Sequence, residues 1–366
     1  MQSRFMAMVF LILWSVPLLA AAVFVSMVLY GMPLLVGLGA QSTAAFRDTL
    51  GVVSALPNSP VTMIAVGDIM LSRHVGTTMA EAADYTLPFS KTADWLASAD
   101  MTVGNLESPF FDRGSRFNEG MVFKAEPEAV AGLARAGFDV LTLANNHILN
   151  QGTAGLEYTL RYLAENHIAT VGGGIDFTAA HRPVVVTVQD TRVAFLGYSY
   201  TPFHDSPGQT DVVAGMDLEQ ARQDITAARQ QADIVVALVH AGTEYTTEPT
   251  SAQQEFDRGL VDAGADLVIG HHPHWPQIIE EYQGKWIFYS LGNFVFDQEW
   301  SQETKEGLAL EVMWQNKQLQ RLRLIPVIIE NYSTPRLADE VEAERVLGRI
   351  GLTNPVIFSS ADLTDQ

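Results

Sequence analysis

Apolar and polar residues alternate along this chain in short blocks that predict strands and helices in turn. Leu156, Leu160 and Leu163 share one helical face, and two further helical patterns cover residues 217–231 and 251–262. Short β-rich runs surround these helices, at residues 61–66, 101–103, 140–144, 183–188, 192–197, 234–239, 267–269, 285–291, 308–314 and 319–327. Strands that alternate with helices in this way predict an α/β domain.

Five of the strand patterns end in residues that can carry chemistry. These residues are Asp68, Glu107, Asn146, His147, His240, His272 and His274. In open α/β sheets, ligands gather at the carboxyl ends of the strands, so we expect these side chains to converge on one site. Taken singly, each has an ordinary structural explanation as a turn residue, a helix cap or a hydrogen-bonded histidine. The prediction of one shared site rests on the five strand ends taken together.

The residue types in this set favour a transition metal. Carboxylate oxygen combined with imidazole nitrogen suits Zn, Mn or Fe, whereas calcium prefers oxygen ligands throughout. His272 and His274 are separated by one residue. On extended backbone, alternate side chains share a face, so both rings are expected to address one point. The sequence therefore predicts a divalent-metal site.

The first forty residues have a different pattern. No charged side chain occurs between Arg4 and Arg47, and the run from Phe5 to Ala40 is almost wholly apolar. A membrane span needs roughly 20 such residues. A cleavable signal peptide is the competing interpretation, but its apolar core is only about 7–15 residues long. We expect a membrane anchor.

The layout of this anchor is left open by two prolines. Pro17 and Pro33 allow either one long kinked span or a hairpin of two short spans, and no polar turn divides the run. Arg4 favours an N-terminus on the cytoplasmic side. The expected location is the cell membrane, as a single-pass protein with its large domain outside the cytoplasm.

The expected organisation has four parts. Residues 1–40 form the anchor, and residues 41–60, which are small and polar with two prolines, form a linker. The α/β domain covers residues 61–335, and residues 336–366 form a C-terminal helix and tail.

Composition excludes some classes of function. The chain has 42 acidic and 22 basic residues, a formal net charge of −20, and no cysteine. An acidic surface repels phosphate backbones, so nucleic acid is not expected as a partner. An anionic ligand needs a bound cation or a local basic pocket. The absence of cysteine removes disulfides, thiolate metal sites and cysteine nucleophiles.

Six sequence blocks resemble the CapA/PgsA capsule-synthesis family, a branch of the calcineurin-like metallophosphoesterase fold. They occur in that family's order, at residues 67–71, 104–107, 145–147, 240–245, 264–274 and 289–298. The resemblance extends from Val61 to Val327, and the last two blocks are the most specific. It implies a two-sheet sandwich flanked by helices. It also implies the synthesis or export of an anionic capsule polymer, typically poly-γ-glutamate, together with capsule synthase subunits at the membrane.

Individual residues match the family's functional positions. The resemblance assigns His147 as the proton-donating histidine, and it assigns the metal positions to Asp68, Asn146, His240, His272 and His274. Glu107 is expected to supply a further carboxylate to the metal. Further candidates for metal or substrate contact are Asn105, His271, Asn293 and Asp297.

The sequence departs from the broader phosphoesterase pattern at three positions. Met70 stands where that pattern has a histidine, and Asn105 occupies the place of the bridging aspartate. Ile148 replaces the acidic residue that often follows the catalytic histidine. These departures weaken one metal subsite and leave open whether two ions are bound and whether the protein is catalytic.

Two classes of function follow from the sequence. As an enzyme, the protein would carry out metal-assisted hydrolysis of a phosphoester or a γ-glutamyl amide, with His147 protonating the leaving group. As an accessory subunit of a polymer synthase, it would use the same site to hold a polyanion through a cation. A carbohydrate hydrolase that pairs Glu107 with another acid is a third alternative, but it explains none of the histidines.

Overall fold

The computed structural model describes residues 59–115, 120–200 and 210–360. Residues 1–58 lie outside the described residues, and with them the predicted anchor and most of the predicted linker. Within the described ranges, no helix combines the length and the hydropathy that a membrane crossing requires.

Fifteen strands and eight α-helices are described in these ranges. The strands are β1 Val61–Ile69, β2 Met101–Leu106, β3 Val140–Thr142, β4 Ala169–Val171, β5 Val184–Val188, β6 Thr191–Ser199, β7 Ile234–His240, β8 Leu267–His271, β9 Ile279–Tyr282, β10 Lys285–Phe288, β11 Asn293–Val295, β12 Glu306–Gln315, β13 Gln318–Glu330, β14 Thr334–Leu337 and β15 Val356–Ser359. The helices are α1 Arg73–Ala82, α2 Ala93–Leu96, α3 Val130–Arg135, α4 Gly152–Glu165, α5 Phe177–Ala180, α6 Leu218–Arg229, α7 Ser251–Ala263 and α8 Glu340–Arg349.

The strands form two mixed sheets. Sheet 1 has the order β14-β13-β12-β1-β2-β3-β4, with β11 paired to β1 and β15 paired to β13. Sheet 2 has the order β5-β6-β7-β8-β10-β9. The strands from β1 to β4 run parallel, as do β6, β7, β8 and β10. In each sheet, therefore, several neighbouring strands end at the same edge.

The apolar residues are divided into three layers. One cluster joins inward-facing residues of both sheets, such as Met63 and Val103 of sheet 1 with Phe195 and Leu238 of sheet 2. A second cluster lies between the other face of sheet 1 and the helices α1, α3 and α4. The third lies between sheet 2 and the helices α6 and α7. The chain is thus a mixed α/β fold with two sheets and flanking helices, as the sequence predicted.

Helix α7 shows how local sequence sets an element. Thr250 accepts a hydrogen bond from the Gln253 backbone, and the Gln253 side chain accepts one from the Thr250 backbone, which closes a capping box. Gly264 ends the helix with a φ of 115°, a conformation that glycine adopts without penalty. Phe256 and Leu260 lie one turn apart and are buried in the cluster against sheet 2.

Helix α8 is tied to the sheet by a buried carboxylate. Glu306 at the start of β12 is fully buried, and it pairs with Arg345 at 2.7 Å and with Arg349 at 2.6 Å. After this helix, β15 pairs antiparallel with β13. The C-terminal segment up to residue 360 thus adds a strand to sheet 1.

The segment from Tyr289 to Asn293 joins the two sheets at very short range. It leaves β10 of sheet 2 and enters β11 of sheet 1. Three glycines lie against it, because a Cβ on Gly67, Gly270 or Gly307 would come within 1.9 Å of a carbonyl oxygen of Gly292, Tyr289 or Asn293, respectively. Only a residue without a side chain allows this approach.

Most predicted elements match the observed ones. The five strands that precede the candidate site residues are confirmed, although β3 ends at Thr142 rather than at Ala144. The helical patterns that became α4, α6 and α7 are confirmed as well. The strand predicted at residues 285–291 was wrong in extent, since β10 ends at Phe288. The backbone after it turns to carry the chain from one sheet to the other.

We expect Gly270→Ala to destabilise the domain by about 3 kcal/mol, because the new methyl group meets a backbone carbonyl that cannot move alone. Gly348→Ala is the matched control. A Cβ at Gly348 meets nothing within 4 Å, and an alanine in helix α8 should stabilise by about 0.5–1 kcal/mol. Urea unfolding followed by circular dichroism measures both. Equal stability of the two variants would contradict the close approach.

Candidate functional site

The candidate site lies where the carboxyl ends of both sheets meet. Sheet 1 supplies Asp68 near the end of β1, Glu107 directly after β2 and Asn146 in the turn after β3. Sheet 2 supplies His240 as the last residue of β7, and the bend after β8 supplies His272 and His274. All but His272 are at least 96% buried. The structure therefore brings together all the metal candidates that the sequence singled out.

Glu107 is the residue common to two clusters of candidate ligands. One cluster consists of Glu107, His240 and His272, and the other of Asp68, Glu107 and His274. In each cluster the ligand atoms lie within 4.8 Å of one another. A shared carboxylate between two histidine-containing clusters is an arrangement that can hold one divalent ion or two.

The Glu107 Oε1 atom is buried without a hydrogen-bond partner. It lies 4.0 Å from His240 Nε2 and 3.9 Å from His274 Nε2. Zinc and similar ions bind nitrogen and carboxylate oxygen at about 2.0–2.2 Å, so one ion can bridge either separation. An unsatisfied buried carboxylate oxygen costs free energy, and a bound cation removes that cost. The residues present therefore fit a divalent metal.

A chain of two asparagines fixes the hydrogen bonds at the centre of the site. Asn145 Oδ1 accepts from the His147 backbone at 3.1 Å, and its Nδ2 donates to the Leu106 carbonyl at 2.8 Å. The same Nδ2 donates to Asn105 Oδ1 at 3.0 Å. Because backbone groups anchor both ends of Asn145, the orientation of the Asn105 amide is set as well.

Asn105 consequently presents its donor end to the ligands. Its Nδ2 lies 2.8 Å from Asp68 Oδ1, 3.1 Å from His240 Nδ1 and 3.4 Å from Glu107 Oε2. An amide in this position holds two carboxylates and an imidazole together in the absence of an ion. It does so as a hydrogen-bond donor, since its oxygen is engaged by Asn145.

Asn293 orients His274 in a similar way. Its Nδ2 donates to the Thr304 carbonyl at 2.9 Å and to Gln298 at 3.1 Å, so its oxygen faces His274 Nδ1 at 2.9 Å. His274 Nδ1 also lies 3.3 Å from Asp68 Oδ2. With Nδ1 donating, Nε2 of the neutral ring has the lone pair that a metal needs.

On the other side of the site, His240 Nε2 and Asn146 Oδ1 meet at 2.9 Å. The His240 ring is also near the His272 ring, with 4.7 Å between their centroids. These contacts add an amide oxygen to the cluster of Glu107, His240 and His272. That cluster thus offers both oxygen and nitrogen donors.

Three residues of the site have pKa values shifted from the ordinary ones. Burial and then the neighbouring charge of Asp68 raise the pKa of Glu107 well above its ordinary value. Burial also acts to raise the pKa of Asp68, but the hydrogen bond from His274 and the nearby histidine charges outweigh it and hold that pKa below its usual range. Burial, followed by the charge of His272, lowers the pKa of His240 well below its ordinary value. Neutral imidazole is the form in which histidine binds a cation.

His147 lies in a turn beside this cluster. Its ring stacks on Phe123 with centroids 3.9 Å apart, and its Nδ1 lies 2.9 Å from Asn150 Oδ1. The sequence singled out neither Phe123 nor Asn150. In the sequence, Asn150 is marked only by its spacing of three residues from His147 along a turn. Many asparagines have such a spacing, so it does not single out this residue.

Two other candidates have structural partners. Asp297 pairs with Arg73 and accepts a hydrogen bond from the His74 backbone at 3.1 Å, at the start of α1. His271 is buried, and its Nε2 lies 3.2 Å from the Val66 carbonyl of β1. Both residues join elements next to the site.

The backbone around the site departs from the extended form that the sequence suggested. The expectation of extended backbone at His272 and His274 was wrong, because their φ angles are 96° and 58°. Residues 145–150 form a turn that contains Asn146 and His147. Tyr245, which flanks the His274 ring at 5.9 Å, also has a positive φ, of 63°. Strained residues of this kind persist where surrounding contacts hold them, often at functional sites.

We expect opposite changes in metal binding from two substitutions. Glu107→Gln removes the carboxylate that both clusters share and should abolish the binding of Mn or Zn. Asn105→Asp places an anionic ligand among Asp68, Glu107 and His240, and should tighten binding on the order of tenfold. In chelator the Asn105→Asp protein should melt at a lower temperature than wild type, since three carboxylates then repel one another.

Elemental analysis and isothermal titration with Mn or Zn measure these effects. Asp94→Asn is the matched control, because Asp94 is an exposed carboxylate that pairs with Arg135 and belongs to neither ligand cluster. Unchanged binding in Glu107→Gln would contradict the shared-ligand arrangement.

A family model described as bacterial capsule synthesis protein PGA_cap matches residues 62–298. Capsule biosynthesis protein CapA of Bacillus anthracis is 32% identical over 300 residues, which cover 79% of this chain and 72% of that one. PGA biosynthesis protein CapA of Bacillus subtilis is 33% identical over 284 residues, covering 74% and 72%. A probable polyglutamine synthesis accessory protein of Mycobacterium tuberculosis is 30% identical over 256 residues, covering 64% and 66%. The predicted resemblance is confirmed, and the chain belongs to the CapA-type bacterial capsule synthesis protein family.

Proposed function

We propose that this protein is a membrane-anchored component of the synthesis or export of an anionic capsule polymer of the poly-γ-glutamate type. We further propose that it works through a divalent-metal site of metallophosphoesterase type. The family and the names of the Bacillus relatives support the first part. The buried Glu107 oxygen between two histidine nitrogens supports the second and is the observation that carries it.

The metal proposed for this site is Mn, Zn or Fe. Asp68, Glu107, Asn146, His240, His272 and His274 would hold it, with oxygen and imidazole nitrogen in the proportions that such ions prefer. When bound, the metal would supply Lewis-acid activation of a water molecule and would polarise the phosphoryl or carbonyl oxygen of the group under attack. Two buried carboxylates also gain a charge partner, which lowers the cost of their burial.

In the enzymatic form of this proposal, His147 is the general acid. Water adds to the phosphorus or carbonyl carbon, and the bond to the leaving oxygen or nitrogen breaks with its electron pair staying on the leaving atom. A protonated His147 gives that atom its proton, the proton that the attacking water loses passes to solvent, and solvent reprotonates His147. The substrate class is then a phosphoester or a γ-glutamyl amide.

In the accessory form, the same site holds the polymer without cleaving it. Carboxylates of the polymer bind the cation, and the net charge of −20 keeps the contact small, since the rest of the surface repels a polyanion. Capsule synthase subunits at the membrane are the proposed partners in both forms.

The function is tested in a capsule-forming strain that lacks this gene. Wild-type protein and the Asp94→Asn control should restore surface polymer, measured as glutamate released by acid hydrolysis. Glu107→Gln should not, although its level in the membrane equals that of wild type. Polymer that persists in the deletion strain, or that Glu107→Gln restores, would overturn the proposed role.

The purified protein separates the enzymatic from the accessory form. With added Mn or Zn, turnover of a phosphodiester or γ-glutamyl peptide favours the enzyme, and His147→Gln should then lower kcat by about 10²–10⁴-fold with metal content unchanged. Absence of turnover, combined with the requirement for Glu107 in cells, favours the accessory role.

We also propose that residues 5–40 anchor the chain, with the α/β domain outside the cytoplasm, because this apolar run exceeds the length of a span and follows Arg4. Alkaline phosphatase, which is active only outside the cytoplasm, is fused after Gln366. An active fusion in the membrane fraction is expected. An inactive fusion, paired with an active cytoplasmic reporter at the same position, would reverse the orientation or support a hairpin.

A further inference from the structure

The hydrogen bonds around Asn150 determine which nitrogen of His147 has the proton. Asn150 Oδ1 lies 2.7 Å from the Phe123 backbone nitrogen and 2.9 Å from His147 Nδ1. A backbone N–H can only donate, so the Asn150 atom that faces it must be the oxygen. His147 Nδ1 faces the same oxygen and must donate as well. In the neutral ring, the lone pair is therefore on Nε2.

The observed orientation of the Asn150 amide costs free energy. Its Nδ2 atom is buried without a hydrogen-bond partner. An unsatisfied buried amide typically costs about 1–3 kcal/mol. Reversal of the amide would place its N–H groups against the donor N–H of Phe123, which is worse. The protein therefore keeps the oxygen toward His147 at the expense of one unsatisfied donor.

Phe123 fixes the plane of the His147 ring. The two rings stack at 3.9 Å with 21° between their planes, and Phe123 is 1% exposed. The Arg73 guanidinium covers the Phe123 ring at 4.8 Å. Gln151 donates to the Phe123 carbonyl at 3.0 Å, so consecutive residues of the turn hold both backbone groups of Phe123. The stack cannot slide without breaking these bonds.

We propose that Asn150 and Phe123 are positioning residues that hold His147 as the Nδ1–H tautomer and make Nε2 the nitrogen that transfers protons. This inference deepens the role proposed above for His147 and rests on it for its functional consequence. A protonated His147 gives its Nε2 proton to the leaving oxygen or nitrogen, which keeps the electron pair of the broken bond. The ring returns to the neutral form with its lone pair on Nε2 and its Nδ1 proton still on Asn150.

The tautomer is read directly from nitrogen-15 chemical shifts of histidine side chains. The full-length chain is labelled at histidine, and the His147 signals are identified by their loss in His147→Gln. Wild-type protein, in chelator and at a pH where the ring is neutral, should show a protonated Nδ1 and an unprotonated Nε2. A protonated Nε2 in neutral wild-type His147 would overturn the proposal.

Two substitutions of Asn150 separate positioning from a merely structural role. Asn150→Leu removes the acceptor, and the His147 signals should change to the Nε2–H form or to a mixture. Asn150→Asp keeps an acceptor for both donors and should preserve the Nδ1–H tautomer. An unchanged tautomer in Asn150→Leu overturns the inference, as does loss of the tautomer in Asn150→Asp when its melting temperature matches that of wild type.

Asn166→Ala is the matched control, because Asn166 ends helix α4 and donates to the Tyr162 carbonyl at 2.8 Å, away from His147. It should leave the His147 signals unchanged. In an active protein, Asn150→Leu should lower kcat by at least tenfold with KM and metal content little changed, and Asn150→Asp should restore much of kcat.

The two levels of the proposal can fail independently. The tautomer is measured without metal, substrate or turnover, so an inactive wild-type protein leaves that test intact. Turnover that requires His147 but not Asn150 would reject the positioning role while the proposed function stands.

Discussion

The close contact between residues 289–293 and three strand glycines underlies the whole arrangement. This segment crosses from sheet 2 to sheet 1 and brings its carbonyl groups against Gly67, Gly270 and Gly307. A side chain at any of these positions would push the crossing segment away from the strand it lies against, at the edge where the ligands meet. The crossing also delivers Asn293 to the ring of His274. The geometry of the site thus depends on backbone packing behind it.

Electrostatic repulsion between the buried carboxylates of the site is not screened by solvent. Buried carboxylates repel one another, and here the response is a raised pKa at Glu107 and hydrogen bonds from Asn105 to both acids. A bound cation would offset the repulsion between the two carboxylates more completely. The site is therefore better suited to a cation than to an uncharged ligand.

The sequence predicted the parts of the site that each strand determines by itself. β-rich runs that end in Asp68, Glu107 or His240 show their positions directly, because strand ends of parallel sheets share an edge. The backbone at His272 and His274 was mispredicted, since positive φ there depends on tertiary contacts. Residues such as Phe123 and Asn150 could not be singled out from the sequence, because only folding brings them together with their partners.

The division of the ligands between the sheets links metal binding to folding. Asp68, Glu107 and Asn146 belong to one sheet, and the three histidines belong to the other. A chain in which only one sheet has formed has half a site and little affinity. Any ion that binds the complete site acts as a cross-link between the halves and favours the native state by mass action. Thermal denaturation should then release the ion and separate the sheets in a single cooperative event.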